Sequence, residues 1–149
     1  MQGGQVGFRD PPYTINASVR VRAETRRIFQ AVVVPEYLEA WLSIPEDGIL
    51  WAITPLQHGV GFALNWCNAN ATRSRIVAFY STCKRRKLTI GWRLEKNDLP
   101  RESIVIMRIS GDFGWSILSL FHVGFRTFDE FAWHRQLWGA SLERLAKLF

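Results

Sequence analysis

The chain has no run of about 18 apolar residues, the length a helix needs to cross a bilayer, so no membrane span is expected. Its opening, Met1-Gln2-Gly3-Gly4-Gln5, lacks the basic-then-apolar pattern of a secretory signal, and a cytoplasmic location is expected. Cysteine is scarce. Cys67 and Cys83 have no CxxC partner and no recognisable metal spacing, so they read as free thiols and no metal site is expected. HExxH, GxSxG, phosphate-loop and EF-hand patterns are all missing, which leaves no cofactor to expect. Four known routes to chemistry are thereby closed.

What is present suits one folded domain. Of 149 residues, 48% are apolar and 21% charged, which is neither a disordered nor a membrane composition. The net charge of +6 is spread along the chain except at Lys84-Arg85-Arg86-Lys87. That tetrad lies between two apolar runs, where a solvated hairpin turn belongs. No nucleic-acid reading motif accompanies it, so nucleic acid is not an expected partner.

Residues 1–12 are glycine-rich, end in Pro11-Pro12, and read as a flexible arm before a single domain over 13–149. From Tyr13 to Arg22 apolar and polar residues alternate with period two, which predicts a strand with one buried face. Ile28, Phe29, Val32 and Val33 then mark one side of a short helix starting near Glu24. Tyr37, Leu38, Trp41 and Leu42 mark a second, opened by Pro35. Short apolar runs follow over 49–53, 60–66, 75–82, 87–94, 103–109 and 116–123. They are separated by turn signals at Asn68-Ala69-Asn70, the basic tetrad, Asn97-Asp98 and residues 110–114. Consecutive strands joined by short turns predict an antiparallel meander.

The closing segment, Thr127 to Phe149, predicts one long amphipathic helix. Thr127 and Glu130 have capping-box spacing, and Phe131, His134, Trp138, Leu142, Leu145 and Phe149 form one stripe. Burying that stripe is worth roughly 1.5–3 kcal/mol per large apolar side chain. It therefore needs a broad apolar partner. The order strand, two short helices, six strands, long helix predicts an α+β domain.

Several stretches resemble a known family. Phe29, Pro35-Glu36-Tyr37-Leu38, Trp41-Leu42, Gly59-Val60-Gly61-Phe62, Leu88 with Trp92, His122-Val123-Gly124-Phe125, and Trp138, Leu142 and Leu145 occur in order over roughly 14–149. They resemble the activator-of-heat-shock-chaperone-ATPase homologue (AHSA-like) family. Its superfamily (SRPBCC) includes START domains, birch-pollen allergen and polyketide cyclases. The resemblance implies a helix-grip fold: a seven-stranded curved antiparallel sheet wrapped on a long C-terminal helix, with two short helices after strand 1 and a cavity between sheet and helix. Val33-Val34 departs from the family's usual polar pair, Leu137 replaces a common glycine before Trp138, and the tetrad turn lacks the usual prolines.

Strand alternation selects an inner face. Phe62, Leu64, Trp66, Ile90, Trp92, Leu118, Leu120 and His122, with His134 and Trp138 from the helix, are the expected wall of a site for an apolar lipid, aromatic or polyketide-like molecule. The same side chains also read as plain core, and each histidine as a satisfied structural residue. Two alternatives stand beside the binding domain. One is a polyketide-cyclase-type enzyme using His134, with Asn65, Asn16 or Tyr13, as acid or base. The other is a co-chaperone-like module offering Arg20, Arg22, Arg26 and Arg27 to an acidic protein partner. His58, in a Pro/Gly-flanked loop, has no expected role.

Overall fold

Alternation along the chain sets the architecture. In β2 (Ile15–Val21) the residues Ile15, Ala17, Val19 and Val21 are buried while Asn16 points out. The first strand is therefore shorter than the expected Tyr13 start. Tyr13 takes a positive φ of 60°, is 43% exposed, and turns the chain rather than extending it. The computed structural model describes residues 6–8, 13–45, 49–57, 60–67, 73–96 and 99–149. The turns expected at Asn68-Ala69-Asn70 and Asn97-Asp98, and the loop residue His58, lie outside the described residues.

After β2 come α1 (Thr25–Val33) and α2 (Pro35–Trp41). Val34 joins them: its extended backbone ends α1 and serves as N-cap for α2, whose first residue is Pro35. Ile28, Ala31, Val32, Leu38, Trp41 and Leu42 are buried, and the Trp41 indole donates to Ala31 O at 2.8 Å. Tyr37, expected on that apolar side, is 51% exposed instead. A seven-residue helix cannot bury every apolar residue of its sequence against one neighbour.

The meander then runs β3 (Ile49–Pro55), β4 (Gly61–Cys67), β5 (Arg73–Lys84), β6 (Lys87–Lys96), β7 (Leu99–Asp112) and β8 (Trp115–Val123). The strands reach further than the apolar runs suggested, because two-residue turns let the ladders zip up to Lys84↔Lys87 and Asp112↔Trp115. β2 pairs with β8 and so closes the far edge of the meander. A short β1 (Val6–Phe8), within the expected arm, adds an outer edge strand on β2. The described sheet thus has eight strands, in the order β1-β2-β8-β7-β6-β5-β4-β3, all antiparallel, with the expected seven as its body. Register shifts at Leu50/Ala52 and Tyr80/Thr82 add local twist and help curve it.

α3 (Phe128–Lys147) lies against the concave face. Thr127 caps it, its hydroxyl accepting from the Glu130 amide at 3.2 Å. The reciprocal half of the capping box is displaced by one residue: the Glu130 carboxylate accepts from the Arg126 amide at 2.9 Å and pairs with Arg101 at 2.9 Å. At the other end of α3, Ser141 accepts from the Ser43 amide and Arg144 donates to the carbonyls of Ala40 and Leu42. These bonds place a cation on the C-terminal carbonyls of α2, the favourable end for positive charge. Helix, short helices and sheet are thereby held as one body.

One glycine is indispensable. At Gly61, φ is +156° and an added Cβ would sit 1.9 Å from the Ala78 carbonyl oxygen and 2.7 Å from the Phe79 Cα. Both are backbone atoms of the neighbouring strand and cannot swing away. Gly61→Ala is expected to cost about 2–3 kcal/mol, read as a lower urea midpoint. A parent-like midpoint would mean that β4 and β5 are further apart than described.

Candidate functional site

Three cross-sheet rows of inner-face residues build the site. Phe62, Ala78, Trp92 and Ser103 are register partners across β4 to β7. Tyr80, Ile90, Val105, His122 and Ile15 form the next row, and Leu88, Met107, Leu120 and Ala17 the third. From α3, Trp133, His134, Leu137 and Trp138 come down onto them, with Trp133 stacked on Trp66 at 5.6 Å between ring centroids. All ten expected wall residues are brought to this face and are buried, Phe62, Leu64, Trp66, Ile90, Trp92, Leu118, Leu120, His122, His134 and Trp138 alike. Leu137 is also fully buried, so the side chain in place of the family's glycine occupies interior space.

The two histidines are joined by a chain of hydrogen bonds whose direction is dictated by chemistry. An indole N–H can only donate. The Trp138 indole donates to His122 Nδ1 at 3.0 Å, so His122 carries its proton on Nε2 and gives it to Ser103 Oγ at 2.7 Å. Ser103 in turn donates to the Trp92 carbonyl at 3.4 Å. The Trp92 indole donates to His134 Nε2 at 3.1 Å, so His134 holds its proton on Nδ1 and donates it to the Glu130 carbonyl at 2.7 Å. Each ring nitrogen therefore has a partner inside the wall, and each imidazole is fixed in one neutral tautomer.

Electrostatics agrees with that reading. Burial disfavours the charged ring and holds His122 well below the ordinary histidine range, with the neighbouring His134 pushing the same way. Burial lowers His134 to about 4, although its bond to the Glu130 carbonyl and the nearby Glu130 charge work against the shift. The rings meet edge-on at 4.9 Å between centroids, and Phe125 packs on both, at 4.5 and 4.8 Å. Two adjacent imidazoles in such a setting cannot both charge without breaking the indole bonds.

The acid–base assembly expected around His134 does not gather. Asn16 lies on the exposed face of β2, Asn65 alternates with the buried Leu64 and Trp66, and Tyr13 packs on Phe131 at 6.1 Å. Alternation itself sends both asparagines to the far side of the sheet. Conversely, Ser103, Phe125, Trp133 and Tyr80 belong to the site although periodicity did not single them out. The signal for Tyr80 was its strand parity, which it shares with the buried Ile76 and Ala78. Its hydroxyl is the one buried side-chain polar atom among the described residues with no hydrogen-bond partner. Burial raises its pKa far above the usual tyrosine range. Its ring stands edge-on to Phe62 at 6.2 Å.

Among the described residues no cluster of His, Cys, Asp or Glu could hold a metal ion, and no helix is long and apolar enough to cross a membrane. No family model matches the chain, and no curated protein does. Solved structures do. Protein CV1439 from Chromobacterium violaceum is 21% identical, with a TM-score of 0.75 over 93% of this chain and 97% of that one. The AHSA1 protein from Silicibacter pomeroyi is 18% identical, with a TM-score of 0.72 over 91% and 96%. DynU16, a protein in the dynemicin biosynthetic locus, is 20% identical with a TM-score of 0.62 over 92% of this chain, which spans 47% of that one. At these identities the likeness is one of fold, and the expected architecture is the observed one: this chain has the α+β helix-grip fold of the AHSA1-type structures.

Proposed function

We propose that the domain binds an apolar small molecule carrying one polar group, between the concave face of the sheet and α3, with Tyr80 as the polar anchor. The observation that carries this reading is the Tyr80 hydroxyl, buried and unpartnered among the described residues. Leaving such a group unpaired costs about 1–3 kcal/mol, and folded proteins rarely tolerate it without a use. A ligand acceptor opposite the phenol would recover that cost. Phe62 and Ile90 beside it, with the remaining expected wall residues, would supply apolar contact. In this reading His122 and His134 shape the wall through their indole partners and do not touch the polar end of the ligand. Acid–base catalysis by His134 gains no support from its position: its proton is committed to a carbonyl and its lone pair to Trp92.

Mass spectrometry of what copurifies with the protein would identify the molecule, and titration of the extracted compound into stripped protein would measure its affinity. Tyr80→Phe separates binding from folding, because it removes the orphaned hydroxyl and nothing else. The variant is expected to gain about 1 kcal/mol of stability and to bind about tenfold more weakly. Unchanged affinity would reject Tyr80 as anchor. Absence of any extractable or titratable ligand would reject the site.

A further inference from the structure

Because neighbouring strands alternate in direction, the β5–β6 and β7–β8 turns emerge at one end of the sheet, opposite the histidines. β2 delivers the chain to α1 at that same end. Arg26, Arg85, Arg86, Phe113 and Trp115 line one cleft there, of about 520 Å³, shared with the first turn of α1. Two local choices at this end work against the fold. Lys84 sits directly across from Lys87, and like charges opposed on a ladder repel. In the two-residue turn Phe113-Gly114 both residues have positive φ, 51° and 82°, a conformation that suits Asn-Gly and burdens an aromatic. Phe113 gains no burial in return, being 94% exposed.

We infer that this end docks on an anionic lipid surface, the Phe113 ring inserting among the acyl chains while Arg85, Arg86 and Arg26 face the headgroup phosphates. Charge complementarity carries the choice of partner. Among the described side chains no carboxylate lies within ion-pair distance of Lys84, Arg85, Arg86 or Lys87, and Glu24, on the cleft, meets Arg26 only at 4.0 Å. The shape distinguishes a membrane from a nucleic acid. Single strands bind along grooves with aromatic faces laid open as stacking platforms. Here Phe113 projects at a turn tip, and the Arg20 guanidinium already covers Trp115 at 4.3 Å from its ring centroid. A protruding ring that shares its cleft with three arginines suits a headgroup layer over hydrocarbon.

Sedimentation of the full chain with vesicles of phosphatidylcholine alone, or with roughly a third phosphatidylserine added, tests the inference. Binding is expected only with phosphatidylserine and should weaken as salt is raised. Arg85→Glu with Arg86→Glu should reduce it by at least about 25-fold, at roughly fivefold for each cation lost. Phe113→Asn should reduce it about tenfold without lowering the melting temperature, since asparagine fits the turn. No sedimentation with either vesicle overturns the proposal, as does a Phe113→Asn variant that binds like the parent. An oligonucleotide that displaces the vesicles, and is held equally by Phe113→Asn, would overturn it in favour of nucleic acid.

Discussion

Acidification from about pH 7 to about pH 4 is expected to lower the stability of the protein steeply, chiefly through its two buried histidines. Both are neutral in the folded state and held below the ordinary value of 6.5, His122 well below it and His134 at about 4. The unfolded chain takes up protons near that ordinary value. Between the two ranges it therefore binds more protons than the native state, and stability falls as pH falls. The histidine contribution is complete above about pH 6.5 and is lost toward pH 4, at roughly 1.4 kcal/mol per pH unit for each ring. For His134 that span corresponds to roughly 3 kcal/mol, and His122 acts in the same direction, against the 5–15 kcal/mol of a typical domain. Urea midpoints measured across this range check the slope. In His122→Gln/His134→Gln the slope should flatten, since glutamine can still accept from an indole but does not titrate. A parent stability that stays level down to about pH 4.5 would mean that the rings reach water.

Trp138→Ala is the second large effect, an expected loss of about 3–5 kcal/mol. Trp138 is 1% exposed, packs against the Trp92 ring at 5.3 Å, and supplies the only proton that reaches His122 Nδ1 among the described bonds. Its removal leaves a large void beside the sheet and orphans a buried acceptor. Trp138→Phe separates those terms: most of the volume returns and the indole proton does not, so about 1–2 kcal/mol of loss should remain. Equilibrium urea unfolding of the three proteins reads both steps. If alanine costs less than about 1 kcal/mol, the ring is not packed and the space below α3 is looser than described.

Much of the architecture was written in local chemistry. Pro35 after two valines decides where one short helix stops and the next starts. The period-two pattern of Ile15 to Val21 and of Ser116 to Val123 decides which face of each strand is apolar. Thr127 and the stripe from Phe131 to Leu145 decide where the long helix begins and which side it buries. The site was less legible. Parity places His122 on the inner face, and helical spacing places His134 on the stripe, but neither tells which groups meet their nitrogens. Ser103 looked like an ordinary strand residue until pairing of β7 with β8 set it 2.7 Å from His122. Tyr80 shares the parity of Ile76 and Ala78, a signal left unused, and only its surroundings show that its hydroxyl is unpartnered.

By itself, the order of elements and their apolar periodicity determined that a curved antiparallel sheet would be covered by a C-terminal helix, because burial of one face per element admits few other arrangements. Only the tertiary structure decided what the histidines do. Tautomer, proton affinity and availability depend on partners far away in the chain, and here two indoles, a serine and a helix carbonyl fix both candidate reagents as neutral, buried rings. The same holds for the basic turns. Their composition was visible from the start, but strand direction brought them, with Phe113, to a single end of the molecule.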